Sequence, residues 1–196
     1  MKTAEARKRA VLYETIGSAS WLSEGYQSLQ LSRAIAEDES PKCRAAAAAA
    51  LGKCVTAHAF ESLSRLATSL EKDEIVMPGI LSGLQATGDP GTVGILCRFT
   101  SYGRHPWIRE RAVRCLSDLL VKQEAAKRDV KALETLFGLA ADPSYRLRGL
   151  VVEKLGDLGD ERAIAVLEKQ IPKETDGRMV KDMRGAVRKI KEGSRK

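Results

Sequence analysis

Aromatic residues are scarce in this chain and long apolar runs are missing, and both absences narrow what it can be. Aromatics make up 5% of its 196 residues against 43% hydrophobic residues overall, so any core must rest mainly on Ala, Leu, Val and Ile. No stretch approaches the roughly 18 consecutive apolar residues of a membrane helix. The opening MKTAEARKRA reads as polar and helical, which predicts neither a membrane span nor a secretory signal. The four cysteines, Cys43, Cys54, Cys97 and Cys115, show no CxxC spacing and fall in helical segments. They read as scattered buried thiols and not as a metal or redox site, which predicts a reducing, cytoplasmic setting and implies no cofactor.

What the chain has in quantity is self-similarity. An arginine is followed seven residues later by Leu or Ile and then usually by Gly: Arg9 with Ile16 and Gly17, Arg44 with Leu51 and Gly52, Arg109 with Leu116 and Ser117, Arg148 with Leu155 and Gly156. A fifth copy keeps the frame without the arginine, Met77 leading to Leu84, with Gly88 placed as Gly159 is after Leu155. Successive register positions lie 35, 33, 32 and 39 residues apart, the period of a solenoid. A second leucine follows the first by twelve residues, at Leu63, Leu96 and Leu167; after Leu116 it comes at Leu133, so the loop from Gln123 to Arg128 carries an insertion of five. Insertions are tolerated at a solenoid edge.

The clearest copy runs from Asp142 to Ile171. Asp142 reads as a helix cap with Pro143 at the first helical position, followed by an apolar stripe of Leu147, Leu150, Val151, Leu155 and Leu158. Gly156 and Gly159 break that helix, Asp160 caps a second with Ala163, Ile164, Leu167 and Ile171 on one face, and Pro172 stops it. The frame predicts repeats over 3–37, 38–72, 73–103, 104–141 and 142–172, followed by a lone helix over 178–192. No helix of a pair can bury its stripe alone, so the expectation is one continuous all-α domain of residues 1–196, a right-handed α-α superhelix of five helix pairs plus a terminal helix. The alanine run from Ala45 to Ala50 reads as close helix packing. Pro78 conflicts with a helix starting near Asp73, which predicts a kink or a late start, and Gly79 and Gly83 are expected to make this repeat the flexible joint.

With two helices per repeat and the frame D-x5-R…L-G…G-D, nearly the whole chain resembles the HEAT repeat family, particularly its phycobilin-lyase-like variety; DPSYRLRGLVVEKLGDLGDERAIAVLEKQ carries the likeness best. The segments ETDGRMVKDMRGAVRKIKEG and SYGRHPWIRERAVRCL further resemble the C-terminal helical repeat region of gluzincin-type zinc aminopeptidases and a related transcription factor subunit. That second likeness implies an appendage that shapes a substrate chamber in a larger chain. The peptidase chemistry does not carry over, because its zinc site needs HExxH and the only histidines here, His58 and His105, lie in no such motif.

Beyond the insertion and the Pro78 repeat, two features fall outside the frame, and the register arginines are not among them. The register arginines Arg9, Arg44, Arg109 and Arg148 themselves read as structural, because Asp38 and Asp142 stand six residues before Arg44 and Arg148 and can pair along or between stacked repeats. Trp107 sits among Arg104, Arg109, Arg111 and Arg114 at a helix start, where it either anchors a partner or packs on the preceding repeat. The chain carries a net charge of +7, and from Lys173 onward nine basic residues face four acidic ones. Lys181, Arg184, Arg188, Lys191 and Arg195 share one helix face opposite Met179, Met183, Ala186, Val187 and Ile190. This basic ridge is either the solvated side of a capping helix or a site for an anionic protein surface or nucleic acid.

Together these features suggest a non-catalytic protein-binding scaffold with an unidentified protein partner, the second helices lining its recognition face with Arg65, Arg98, Glu134 and Lys169 exposed. Nucleic acid binding is the less favoured alternative: some HEAT-like folds cradle DNA, and one such family excises alkylated bases. Here Trp21 and Trp107 are far apart in sequence and no carboxylate is singled out for that chemistry.

Overall fold

The computed structural model describes residues 2–54, 57–70 and 73–193, with the side chains of Lys2 and Ala57 excepted; Arg195, at the end of the predicted basic ridge, lies outside them. The chain is all helical and divides into two compact bodies, residues 1–96 and 97–196, the division falling inside one helix. In the first body α1 (Lys2–Ser18) pairs with α2 (Glu24–Glu37), α3 (Pro41–Leu51) with α4 (Ala57–Ser69), and α5 (Met77–Thr87) is followed by α6 (Thr92–Phe99). The second body holds α7 (Pro106–Val121), α8 (Val130–Leu139), α9 (Tyr145–Leu158), α10 (Arg162–Gln170) and α11 (Gly177–Gly193). In the first body α3 packs between α1 and α5, and in the second α9 packs between α7 and α11. The first helix of each pair is therefore the packing spine of its body.

Both leucine positions of the frame are core. Leu51, Leu84, Leu116 and Leu155 on the first helices, and Leu63, Leu96, Leu133 and Leu167 on the second, are all buried. The glycine after the first leucine marks the closest approach between successive first helices. A Cβ on Gly17 would stand 2.6 Å from the Ala50 carbonyl oxygen, and one on Gly52 would stand 1.9 Å from that of Gly83. Gly88 and Gly159, matched by the frame, both end their helices in the left-handed conformation, with φ of 70° and 65°, where an L side chain is strained.

The arginine of the frame has a physical explanation in its two kinds of partner. Its guanidinium donates to a backbone carbonyl just ahead of its own helix and also pairs with an acid at the start of the next repeat. Arg44 donates to the Asp38 carbonyl at 3.0 Å and lies 3.8 Å from the Asp73 carboxylate. Arg109 donates to the Thr100 carbonyl at 2.8 Å and binds both oxygens of Asp142. Arg148 donates to the Asp142 carbonyl at 2.9 Å and forks onto Glu174 at 2.9 and 3.2 Å. Arg9 makes the first pair of the series, to Asp38 at 2.9 and 3.1 Å. The aspartates that precede the arginines thus take charge from the previous repeat, while their own arginine uses only their carbonyl.

Two predicted caps change role for this reason. The Asp142 carboxylate is held by Arg109 and by the Ser144 N–H at 2.9 Å, so α9 begins at Tyr145 with Ser144 as its cap. Asp160 likewise binds Arg128 at 3.0 Å and Arg162 at 2.8 Å, and Glu161 holds the cap position of α10 without a side-chain bond. The five-residue insertion ends on this acid: Arg128 also donates to the Leu158 carbonyl, and Arg162 to that of Ala125. Gly156 does not break α9, which runs on to Leu158. Pro78 sits at the second position of a helix that starts late, at Met77, where no internal bond is lost. Gly79 and Gly83, expected to loosen this repeat, instead bring α5 against Ala45 and Ala48 of α3.

Acid is expected to weaken both bodies through these carboxylates. Burial alone would raise Asp38, but donors from Arg9, the Ser40 N–H and the Tyr13 hydroxyl outweigh it and hold the group at about 2, against an ordinary value of 3.8. Hydrogen bonding by Arg162, then Arg128, likewise holds Asp160 at about 2 against burial. A carboxylate with a depressed pKa stabilises fully above its unfolded pKa and loses that contribution as the pH falls through its folded one. The stability gap between the native chain and Asp38→Asn should therefore be widest above about pH 4 and close toward pH 2, read by urea unfolding across that range. A gap independent of pH would show that Asp38 is not charged in the fold.

Candidate functional site

Position minus two of the frame, two residues before the register residue, is exposed in every repeat, at Arg7, Lys42, Ile75, Trp107 and Arg146. In the second body this position carries Trp107 and then Arg146, one repeat apart, and the two meet. The Arg146 guanidinium lies 4.4 Å from the Trp107 ring centroid and is fixed by Glu110, 2.7 Å away on the same helix as the tryptophan. A cation held over an indole face in this way is attracted by the ring quadrupole. The indole stays 56% exposed, so it is not packed away under the preceding repeat.

Arg146 also lines a groove of about 910 Å³ between α9 and α11. Its floor includes Gly149, Gly156 and Gly185; Arg178, Lys181 and Arg188 are exposed along the α11 side, with Tyr145 and Glu153 among the lining residues from α9. Asp157 is the best-neutralised acid here. A hydrogen bond from Lys189 at 2.6 Å, aided by Lys154, holds it below the ordinary carboxylate value despite burial. Glu153 pairs with Lys154 at 3.0 Å. Among the described residues Arg178, Lys181 and Arg188 make no such pairs, and Asp182 is the only acid on α11 to set against them in the groove.

The predicted basic face of α11 exists, and Met179, Met183, Ala186, Val187 and Ile190 are buried beneath it as its stripe requires. Its two edges diverge. Lys181 and Arg188 turn to the groove, Arg184 stays on the crest, and Lys191 reaches the other way to Glu168 of α10 at 2.8 Å. The arginines around Trp107 divide similarly. Arg104 is drawn inward, 4.5 Å over the Phe99 ring and bonded to the Arg98 carbonyl, and Arg109 is in the ladder; Arg111 and Arg114 continue along the exposed side of α7. Arg65, Arg98, Glu134 and Lys169 are exposed, but the groove lies between first helices and not along the second ones.

Arg146 and Arg178 were not singled out by the sequence reading. Arg146 had one available signal, since it occupies the frame position of Trp107. Arg178 had none, because its importance comes from the helix it faces.

Elsewhere chemistry is sparse. Burial pushes the Cys115 thiol up to about 12, which makes it inert, and all four cysteines are free of disulfides. Among the described residues no group of three or more His, Cys, Asp or Glu side chains could hold a metal, and no helix is long and apolar enough to cross a membrane.

Within the second body the ladder, the buried leucine frame and the paired helices recur at the period of the frame. Residues 102–184 match the HEAT repeat family. That span covers α7 to α10 and the first turns of α11, so the Trp107–Arg146 stack and most of the groove lie within the matched residues. Across nearly the whole chain the fold is shared with solved structures. A computationally designed armadillo repeat protein for modular peptide recognition superposes with a TM-score of 0.56 at 14% identity, covering 95% of this chain and 92% of that one. An engineered protein solved in a structural genomics programme gives a TM-score of 0.52 at 17% identity, covering 92% and 97%. No curated protein matches the chain.

Proposed function

We propose that this chain is a non-catalytic protein-binding scaffold of the reducing cytoplasm, and that it engages its partner through the α7–α9–α11 side of the second body. The observation that carries this is the Trp107–Arg146 stack. Trp and Arg dominate interface energetics, and here both are exposed while Glu110 already holds Arg146 over the indole, so little freedom of that arginine is lost on binding. The designed armadillo protein, which shares the fold, is an instance of such an array built for peptide recognition. The two segments that carry the aminopeptidase likeness supply Trp107 and the α11 wall, so an appendage within a longer enzyme would use the same surface. Nucleic acid is a weaker fit, since Lys189 and Lys191 are tied to Asp157 and Glu168.

Trp107→Ala separates anchoring from packing. Affinity capture from the source cell should lose its associated proteins, while the melting temperature shifts little because the indole is largely exposed. An unchanged set of captured proteins would overturn the reading, as would a melting temperature lowered as far as by a core truncation.

A further inference from the structure

We propose that the groove between α9 and α11 binds an acidic, largely extended segment of a partner protein, a proposal that rests on the binding role assigned above and names its ligand. The charges argue for it directly. Two of the three acids in the lining are already neutralised, Asp157 by Lys189 and Lys154 and Glu153 by Lys154, whereas Arg178, Lys181 and Arg188 face the opening without a partner among the described residues. Even with Asp182 set against them, the groove presents an excess of positive charge, which attracts carboxylates. Its floor also favours a polypeptide. Gly185 carries no side chain on the α11 wall, and the space its Cβ would enter is empty within 4 Å, so a backbone can lie close there. At one end Arg146 joins the groove to the Trp107 ring, where a large side chain of the bound segment finds an apolar contact. A phosphate backbone fits less well, since its evenly spaced charges would meet Asp182, while a peptide can set a neutral or basic residue opposite it.

Gly185 offers a clean way to close the groove. A Cβ there would touch nothing within 4 Å, so Gly185→Glu adds a repelling carboxylate at an open helical position and improves helix propensity, leaving the fold intact. The test uses the full chain with Trp21→Phe, so that Trp107 is its only tryptophan. A labelled peptide of alternating glutamate and leucine should bind saturably and shift the Trp107 emission, and a lysine–leucine peptide of the same length should not. Lys181→Glu combined with Arg188→Glu should weaken binding by about tenfold or more, and Gly185→Glu should abolish it at unchanged melting temperature. Acidic peptide that binds Gly185→Glu as well as the native groove would overturn the proposal. So would the absence of acidic-peptide binding, or preference for an oligonucleotide with a steep salt dependence. If the acidic peptide fails to bind while Trp107→Ala still strips partners in affinity capture, the ligand assignment falls and the scaffold role stands.

Discussion

Asp142→Ala should destabilise the second body by about 3–5 kcal/mol, the usual penalty for leaving one member of a buried ion pair without the other. The two side chains are each only 6% exposed, and Arg109 donates to both oxygens of Asp142 as well as to the Thr100 carbonyl. Losing Asp142 strands the guanidinium in the seam between α7 and α9, where water reaches it poorly. It also removes the acceptor for the Ser144 N–H that settles the start of α9. Urea unfolding followed by Trp107 emission in a Trp21→Phe background reads this body directly. The double substitution Arg109→Met, Asp142→Leu should recover most of the loss, since an apolar pair of similar volume can replace a buried ion pair at little cost. A single substitution that costs under about 1 kcal/mol would place the pair in the class of surface bridges and remove the ladder as the reason for the register.

Gly79→Val is the corresponding lesion in the first body. A Cβ at Gly79 would stand 2.2 Å from the Ala45 carbonyl oxygen and 2.7 Å from the Ala45 carbonyl carbon, both backbone atoms that cannot swing aside. Two branches on that Cβ would force α3 and α5 apart over the Ala45–Ala48 face and open the seam around the buried Ile80 and Leu84. Overpacking of this kind costs about 1–3 kcal/mol, and the upper end is expected because the obstacle is main chain on a neighbouring helix. Gly138→Val is the control. A Cβ there would meet nothing within 4 Å and the position is exposed, so it should be nearly neutral. Comparable losses at the two glycines in thermal unfolding would show that helix propensity, and not the close approach, sets the effect.

Most of the architecture was readable because it repeats. Each leucine of the frame is a core residue, and the glycine after Leu51 and after Leu155 lies against the next first helix, so periodicity alone carried both. The helix starts were off by two residues at α9 and by one at α10 for a reason equally physical. Asp142 and Asp160 have the side chain and the position of a cap, but their carboxylates are claimed by arginines 33 and 32 residues back. No local pattern distinguishes a cap from the far half of a ladder pair. The site was half legible. Trp107 and the basic face of α11 stand out by composition, while the groove exists only because α11 settles beside α9, and its α9 side includes Arg146 and Asp157, neither remarkable in sequence.

The ladder bears on how such a chain lengthens. Each repeat that holds a full rung carries the arginine for the repeat after it and the acid for the repeat before it, so a tandem duplication arrives with both halves and leaves no charge stranded at the new joint. Where the sequence lacks the arginine, at Met77, the following stretch Ser101–His105 has no acid either. The two halves are missing at the same step. Copy number can therefore drift by whole repeats with electrostatics preserved, whereas the position two residues before the register residue is free to vary, and five copies of one frame present Arg, Lys, Ile, Trp and Arg there to solvent.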